Sequence, residues 1–363
     1  LLLTIPFLAK SQSTVNPDTV CYQSTGSTYT VSNDPNNTYT WTVAPNANVT
    51  GASNQTTAVS SIGQTLTNTT NTVQTVVYTV TPISGSCSGA TFTVTVTVNP
   101  TPTVTAQAAT ICSGAAFSVA PINGSGNIVP TGTTYSWSAP AAITGISGLA
   151  SGTAQTTIGG TLTNATNAPI NVTYVVTPTS GSCTGSSFNV VVTVNPRPAI
   201  NNMTATICSG SAFTTAPVNV TNGVVPAGTT YTWTVAPNAN VTGETAVAIA
   251  SNNISQNLTN TTVNAELVTY TVTPTAGICA GSTFAVAVTV NPIPVIANKT
   301  ATICSGTAFT VSPTTAGSDL VPTGTTYTWT VAANANVTGE TSQAVAQSSI
   351  SQNLVNTTNA AET

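Results

Sequence analysis

The sequence contains no histidine, and only three of its 363 residues are basic: Lys10, Arg197 and Lys299. Binding nucleic acid by neutralising phosphates requires clustered Lys and Arg, so that class of function is excluded. Imidazole-centred acid–base catalysis and His-ligated metal sites are excluded for the same compositional reason. The seven acids, Asp18, Asp34, Glu244, Glu266, Asp319, Glu340 and Glu362, are scattered along the chain. They form neither a carboxylate dyad nor an oxygen-rich calcium loop at the level of spacing. Charged residues make up 3% of the chain and there is one methionine, Met203. No internal run approaches the ~18 uninterrupted apolar residues that a membrane helix needs.

Thr, Val, Ala, Asn, Ser and Gly dominate instead, with 40% hydrophobic residues and 26 Gly and 22 Pro. This is enough apolar material to build a core, and too much for intrinsic disorder. Abundant Thr and Val favour strands, while Gly and Pro supply turns.

The chain repeats itself every 96 residues: Trp41, Trp137, Trp233 and Trp329 keep that step, as do Leu66, Leu162, Leu258 and Leu354. Tyr78, Tyr174 and Tyr270 follow it, and the pairs Asn99-Pro100, Asn195-Pro196 and Asn291-Pro292 make natural boundaries. A unit of this size exceeds any solenoid repeat and matches one immunoglobulin-sized sandwich. Each unit can therefore hold its own core.

Within a unit the period is two. Phe92-Thr-Val94-Thr-Val96-Thr-Val98 and its counterparts from Phe188 and Phe284 put large apolar groups on one face, the signature of a half-buried antiparallel strand. A second β-rich run, 76–80, 172–176 or 268–272, precedes it and completes a final hairpin. The Tyr-x-Trp segments read as a central strand with the indole between two sheets, and residues 116–120 and 212–215 as an earlier strand. Six or seven strands per unit are expected. The junctions Pro100-Thr-Pro102, Pro196-Arg-Pro198 and Pro292-Ile-Pro294 favour stiff extended geometry. The prediction is an all-β chain of tandem immunoglobulin-like β-sandwich domains arranged as a rod. Its segments are a signal-peptide remnant over 1–11 and domains over 12–100, 101–196, 197–292 and 293–363. With strands of about ten residues at ~3.3 Å each, four such domains span on the order of 150 Å.

Seven cysteines alternate between an early position (Cys21, Cys112, Cys208, Cys304) and the final hairpin (Cys87, Cys183, Cys279). Pairing within units gives Cys21–Cys87, Cys112–Cys183 and Cys208–Cys279, with the partner of Cys304 expected past residue 363. A rival scheme joins the early Cys of one unit to the hairpin Cys of the next. It leaves Cys87 without an earlier partner, but the first turn and last hairpin of an ordinary sandwich lie at opposite ends, so geometry does not dismiss it. A metal site or reactive thiol has less support, because neither His nor a Cys-x-x-Cys pair is present. Disulfides imply an oxidising compartment. Leu1–Ala9 reads as the apolar region of a secretory signal, with cleavage expected before Gln12; the alternative reading is an unusually apolar first strand. The fourth unit stops before its last two strands, which is expected to leave a groove and unpaired edges.

Thr110-Ile-Cys-Ser-Gly114, Tyr135-Ser-Trp137, Tyr174-Val-Val-Thr-Pro-Thr-Ser-Gly-Ser-Cys183 and Phe188-Asn-Val-Val-Val-Thr-Val-Asn-Pro196 together resemble the PKD-like, immunoglobulin-like repeats of large Bacteroidota surface proteins. Gliding-motility adhesins and other substrates of the type IX secretion system carry such repeats. The resemblance covers nearly the whole chain and is weaker in the first unit, where Cys21-Tyr-Gln-Ser-Thr-Gly26 departs from Cys-Ser-Gly. It implies an extracellular, stalk-like role with no catalytic, cofactor-binding or metal residue to carry over. The expected partners are further repeats of the same protein, other filament subunits and a glycan coat. The competing readings are a module recognising carbohydrate or another cell, a filament subunit that accepts a donated strand in the fourth unit, and a fragment of an enzyme whose catalytic domain lies elsewhere. All four Trp are assigned to cores rather than to a binding face. Thr arrays on strands are assigned to ordinary solvent faces, and Asn-x-Thr sequons such as Asn68-Thr-Thr70 to chance in an Asn- and Thr-rich chain.

Overall fold

The computed structural model describes residues 19–20, 28–29, 37–60 and 62–363. The signal-like segment 1–11, the cleavage point before Gln12, and Cys21 lie outside the described residues. By contact the chain forms two compact units, one comprising Leu1–Ala165 and Pro169–Asn195, the other Thr166–Ala168 and Pro196–Thr363. The described residues contain strands and no helix.

In the first unit, the sheet around Trp137 runs in the order Gln107–Cys112, Phe188–Asn195, Ile170–Ser180, Thr134–Trp137, Gly152–Gln155. The sheet around Trp41 has the same order: Thr19–Val20, Phe92–Val98, Gln74–Ser84, Asn37–Val43, Gln55–Val59. The second unit repeats it around Trp233, with Met203–Cys208, Phe284–Asn291, Glu266–Ala276, Thr229–Val235 and Val247–Ser251. Short strands face these sheets: Ala116–Val119 pairs with Ile158–Thr161 in one case, and Ser211–Thr215 with Ile254–Asn260 in the other. The Tyr-x-Trp strand is thus interior to its sheet, and the last two long strands form the antiparallel hairpin.

The first strand of each repeat is a departure from the sequence reading, which places none there. Gln107–Cys112 lies parallel to the last strand, with Gln107 opposite Val190 and Cys112 opposite Asn195. Met203–Cys208 pairs with Val286–Asn291 in the same way. Its residues, Gln-Ala-Ala-Thr-Ile-Cys and Met-Thr-Ala-Thr-Ile-Cys, alternate, but their inward groups are few and partly small. The ladder with the last strand holds it in place, and Ala109 and Ile111, or Met203, Ala205 and Ile207, pack from it onto the cores.

Each repeat with a complete hairpin has its own apolar cluster. One joins Phe117, Trp137, Ile158, Leu162, Tyr174 and the valines of 172–194. A second joins Phe213, Trp233, Ile254, Leu258, Tyr270 and the valines of 268–290, and a third surrounds Trp41, Leu66 and Tyr78. Fully burying one such side chain stabilises by roughly 1.5–3 kcal/mol, against about 1 kcal/mol net for an average hydrogen bond. The valine faces therefore dominate stability, while the polar contacts decide register.

Those polar contacts recur with the repeat. Asn164 and Asn260 are buried. The Asn260 side-chain amide donates to the carbonyls of Asn264 (2.6 Å) and Val290 (2.8 Å), and its oxygen accepts from the Thr262 amide at 2.8 Å. Ser209 completes the lock: its hydroxyl donates to the Asn260 carbonyl at 3.2 Å and accepts from the Asn260 amide at 2.9 Å. Ser113 and Asn164 do the same at 3.1 and 2.9 Å, and Asn164 reaches the Val194 carbonyl at 2.8 Å. In the Cys-Ser-Gly turn, Gly114 and Gly210 sit at φ +78°, a left-handed conformation that glycine adopts without strain. Asn68 makes the equivalent contact to Val98 at 2.9 Å and is buried, so the sequon beginning there is a structural lock rather than an exposed acceptor.

Two predictions follow from this lattice. Asn260→Ala leaves the Val290 carbonyl buried without its donor, and the expected loss is about 1–3 kcal/mol of unfolding free energy. Asn260→Asp turns a carboxylate towards two carbonyl oxygens and is expected to lose more. Denaturant titration of the two variants checks both the size and the order.

Stability is also expected to fall in alkali. Burial pushes the Tyr78 phenol up to about 12. Tyr270 is raised by burial and further by the Glu244 carboxylate, and Tyr135, Tyr174 and Tyr231 are raised by burial. A raised phenol favours the protonated folded state, so this stability is intact below the unfolded value near 10 and declines as pH climbs from there through the folded values. Tyrosinate absorbance that rises together with unfolding, rather than before it, is the expected record.

Candidate functional site

The residues singled out by sequence fall into three places among the described residues: the indoles inside the repeats, the cysteines at the ends of the sheets around Trp137 and Trp233, and a groove in the fourth repeat. Trp41, Trp137 and Trp233 are buried. Each indole N–H donates to a backbone carbonyl, of Ser53 (3.0 Å), Ala150 (3.0 Å) and Thr245 (3.1 Å) respectively. The partner strand bulges beside the ring, between the pairs Tyr231/Ser251 and Trp233/Val247. In the Trp137 repeat the bulge holds Gly152, where a Cβ would overlap the indole. These rings are structural.

Trp329 differs from its expected core position. Its N–H still reaches the Thr341 carbonyl at 3.0 Å, but the ring is only half-buried. No counterpart of the Glu266–Ala276 and Phe284–Asn291 strands occurs among the described residues of this repeat to cover it. The result is a groove of about 860 Å³ lined by Ile303, Phe309, Tyr327, Val337, Ile350 and Leu354. One repeat earlier, the positions of Phe309, Tyr327, Val337, Ile350 and Leu354 are held by Phe213, Tyr231, Val241, Ile254 and Leu258, all in the buried cluster. The groove is an uncovered core.

The cysteines correct the expected pairing. Cys87, Cys208 and Cys304 are exposed free thiols, whereas Cys112, Cys183 and Cys279 are in disulfides. The bonds Cys21–Cys87 and Cys208–Cys279 are therefore not formed. The ladder explains why a bond within a repeat fails. Cys112 is opposite Asn195, next to the Val194–Ile170 pair, while Cys183 is opposite Ser180 at the far end of the same strand. Ten residues of strand separate the two ends, about 33 Å, and a disulfide tolerates Cα atoms no more than about 7 Å apart. Cys208 and Cys279 are separated in the same manner, at the Glu266 and Ala276 ends of one strand.

Sequence spacing misses one gathering of acids. Glu244 accepts from the Asn238 amide at 3.2 Å, and Glu266 accepts from the side chains of Asn238 (3.1 Å) and Asn240 (2.9 Å). Glu340 and Glu362 repeat this around Asn334 and Asn336. The carboxylate oxygens are engaged by amide donors, so the arrangement braces a loop. The 96-residue step between Glu244 and Glu340, and between Glu266 and Glu362, is the signal that reveals it. Asp319 pairs with Lys299 and accepts from the Ala297 amide at 2.9 Å. The Lys299 hydrogen bond, before that of Ala297, holds its carboxyl below the usual range. Among the described residues no group of three Cys, Asp or Glu side chains could hold a metal ion, and no helix is long and apolar enough to cross a membrane.

No curated protein matches the chain. Among solved structures it is similar to a three-Ig fragment of titin at 6% identity, covering 76% of this chain and 95% of that one with a TM-score of 0.32. It is also similar to immunoglobulin domains 1–4 of Sidekick-1 (11% identity, 81% and 78% coverage, TM-score 0.23) and to three FN domains of chicken CNTN1 (10% identity, 70% and 88%, TM-score 0.27). The PKD-like domain model matches four times, over residues 18–102, 109–198, 205–294 and 301–363. With nearly every residue after the amino-terminal segment inside one of these four matches, the chain belongs to the PKD-like domain family.

Proposed function

We propose that the chain is part of an extracellular stalk, a surface filament or adhesin of the Bacteroidota type, secreted through an amino-terminal signal. In this reading the Asn-Pro pairs bound four domains, 12–100, 101–196, 197–292 and 293–363, set end to end as a rod that provides reach instead of chemistry. The observation that carries it is the recurrence of one core and one hydrogen-bond lattice at a 96-residue step. A binding face would be expected to differ between repeats, and the aromatic side chains that could form one, Trp41, Trp137 and Trp233, are buried. Further repeats of the same protein, or other subunits of the filament, are the natural neighbours. With 3% charged residues there is little repulsion between surfaces, so lateral association or a glycan coat would assist solubility.

A second reading is a filament subunit that accepts a strand donated by another chain, by β-augmentation beside Phe309, Tyr327 and Leu354. Negative-stain imaging with small-angle scattering of the full chain separates the two. Isolated beaded rods on the order of 150 Å long are the expected result. A compact particle would defeat the stalk, and a helical polymer would favour strand donation.

A further inference from the structure

The repeat around Trp137 departs from its neighbours just after the tryptophan. In the repeats of Trp41 and Trp233 the central strand runs on for two more residues. Thr42 and Val43 pair with Thr79 and Tyr78, as Thr234 and Val235 pair with Thr271 and Tyr270. Beside Trp137 the ladder stops at the ring itself, opposite Val176, so Val175 and Tyr174 have no strand partner on that side among the described residues.

The loop that follows accounts for the difference. In the repeat of Trp41 two donors close the next stretch of edge: the Ala44 amide bonds the Val77 carbonyl at 3.2 Å, and the Asn46 side chain bonds the Thr75 carbonyl at 3.0 Å. Asn238 does the same to the Leu267 carbonyl at 3.2 Å. Three residues after Trp137, at the Ala44 position, stands Pro140, which has no N–H to give. The Asn46 position is marked by the backbone bond that Val49 donates to Asn46 (3.1 Å), and its equivalent is the bond that Ile146 donates to Ile143 (3.0 Å). Ile143 thus replaces the asparagine, with one extra residue before it. The carbonyls of Thr173 and Asn171, one 96-residue step from Val77 and Thr75, therefore meet neither donor.

Beside them lies an open hollow of about 680 Å³ lined by Ser136, Ser138, Pro140, Thr153, Thr173 and Val175, and none of its lining side chains is charged. The sister repeats show what these carbonyls take: an amide N–H each time, one from the main chain and one from a carboxamide. The two acceptors sit on alternate residues of one strand, about 6.6 Å apart. An extended peptide offers N–H groups on every second residue at that same interval. A charged side chain would lose water here without gaining a counter-charge. We propose that the sheet edge at 171–175 binds an extended, uncharged peptide segment of another protein by β-augmentation, its amides donating to the Asn171 and Thr173 carbonyls. The site lies within one repeat and depends neither on the stalk nor on strand donation to the fourth repeat.

The test is polarisation of a fluorescein-labelled, amidated Thr-Val-Thr-Val-Thr peptide titrated with the full chain. Saturable binding is expected, and N-methylation of every peptide amide, which removes the donors, is expected to weaken it about tenfold or more. Val175 is 60% exposed, so Val175→Lys sets a charge in the hollow without disturbing the core, and an equal loss is expected. Thr271→Lys, the matching position where Thr234 already covers the edge, is expected to bind as the parent does. No saturable binding at ~1 mM peptide, equal affinity for the N-methylated peptide, binding that survives Val175→Lys, or an equal loss in Thr271→Lys overturns the proposal. Binding of a neutral N-acetylhexosamine trimer with none of the peptide assigns the hollow to a saccharide and overturns it as well.

Discussion

The parallel ladder between the first and last strands is the constraint on which each repeat depends. It joins residues about 80 apart in the chain, Gln107 to Val190 and Met203 to Val286, and it places the exit of the first strand beside the exit of the last. The other fixed points refer to it. The Cys-Ser-Gly turn can bond the Asn195 carbonyl only because the strand before it ends there, and the buried Asn164 spans from that turn to Val194. A chain with almost no charge has no ion-pair network with which to specify such closure. Neutral amides, hydroxyls and backbone groups do it instead, in a low-dielectric setting where unpaired polar groups are costly.

Packing and polar contacts divide the work. The inward valines, with Tyr174 or Tyr270 among them, provide the bulk of the burial, and Thr occupies much of the opposite face. A one-residue slip in either long strand would turn the valine face towards solvent. The Asn and Ser contacts oppose such a slip from the other side, since a shifted strand would no longer present Val194 or Val290 to the side-chain amide.

Much of this was legible from residues alone. Phe188-Asn-Val-Val-Val-Thr-Val declares its strand because large apolar groups alternate with smaller or polar ones, and the invariant Tyr-x-Trp step marks the interior strand. The first strand went unread because its inward residues, Ala109 and Ile111 or Met203, Ala205 and Ile207, keep a period of two over only a few positions and include small alanines. The cysteine pairing was not legible either. Spacing along the chain suggested Cys112 with Cys183, but the distance between them is set by strand direction, a property of topology. Asn68, Asn164, Asn260 and Asn356 do repeat every 96 residues, and that recurrence in otherwise polar loops was an available clue. The half-exposure of Trp329 depends on which strands cover it, and nothing around Tyr327-Thr-Trp329 distinguishes it from its buried counterparts.

The parallel arrangement has a mechanical side. Tension applied through the linkers at Pro102 and Asn195 pulls the strands Gln107–Cys112 and Phe188–Asn195 in opposite directions along their length, so six rungs are sheared together instead of being peeled one at a time. A repeat loaded this way resists until all six rungs give way together, and only then can its chain run out to a contour of about 300 Å.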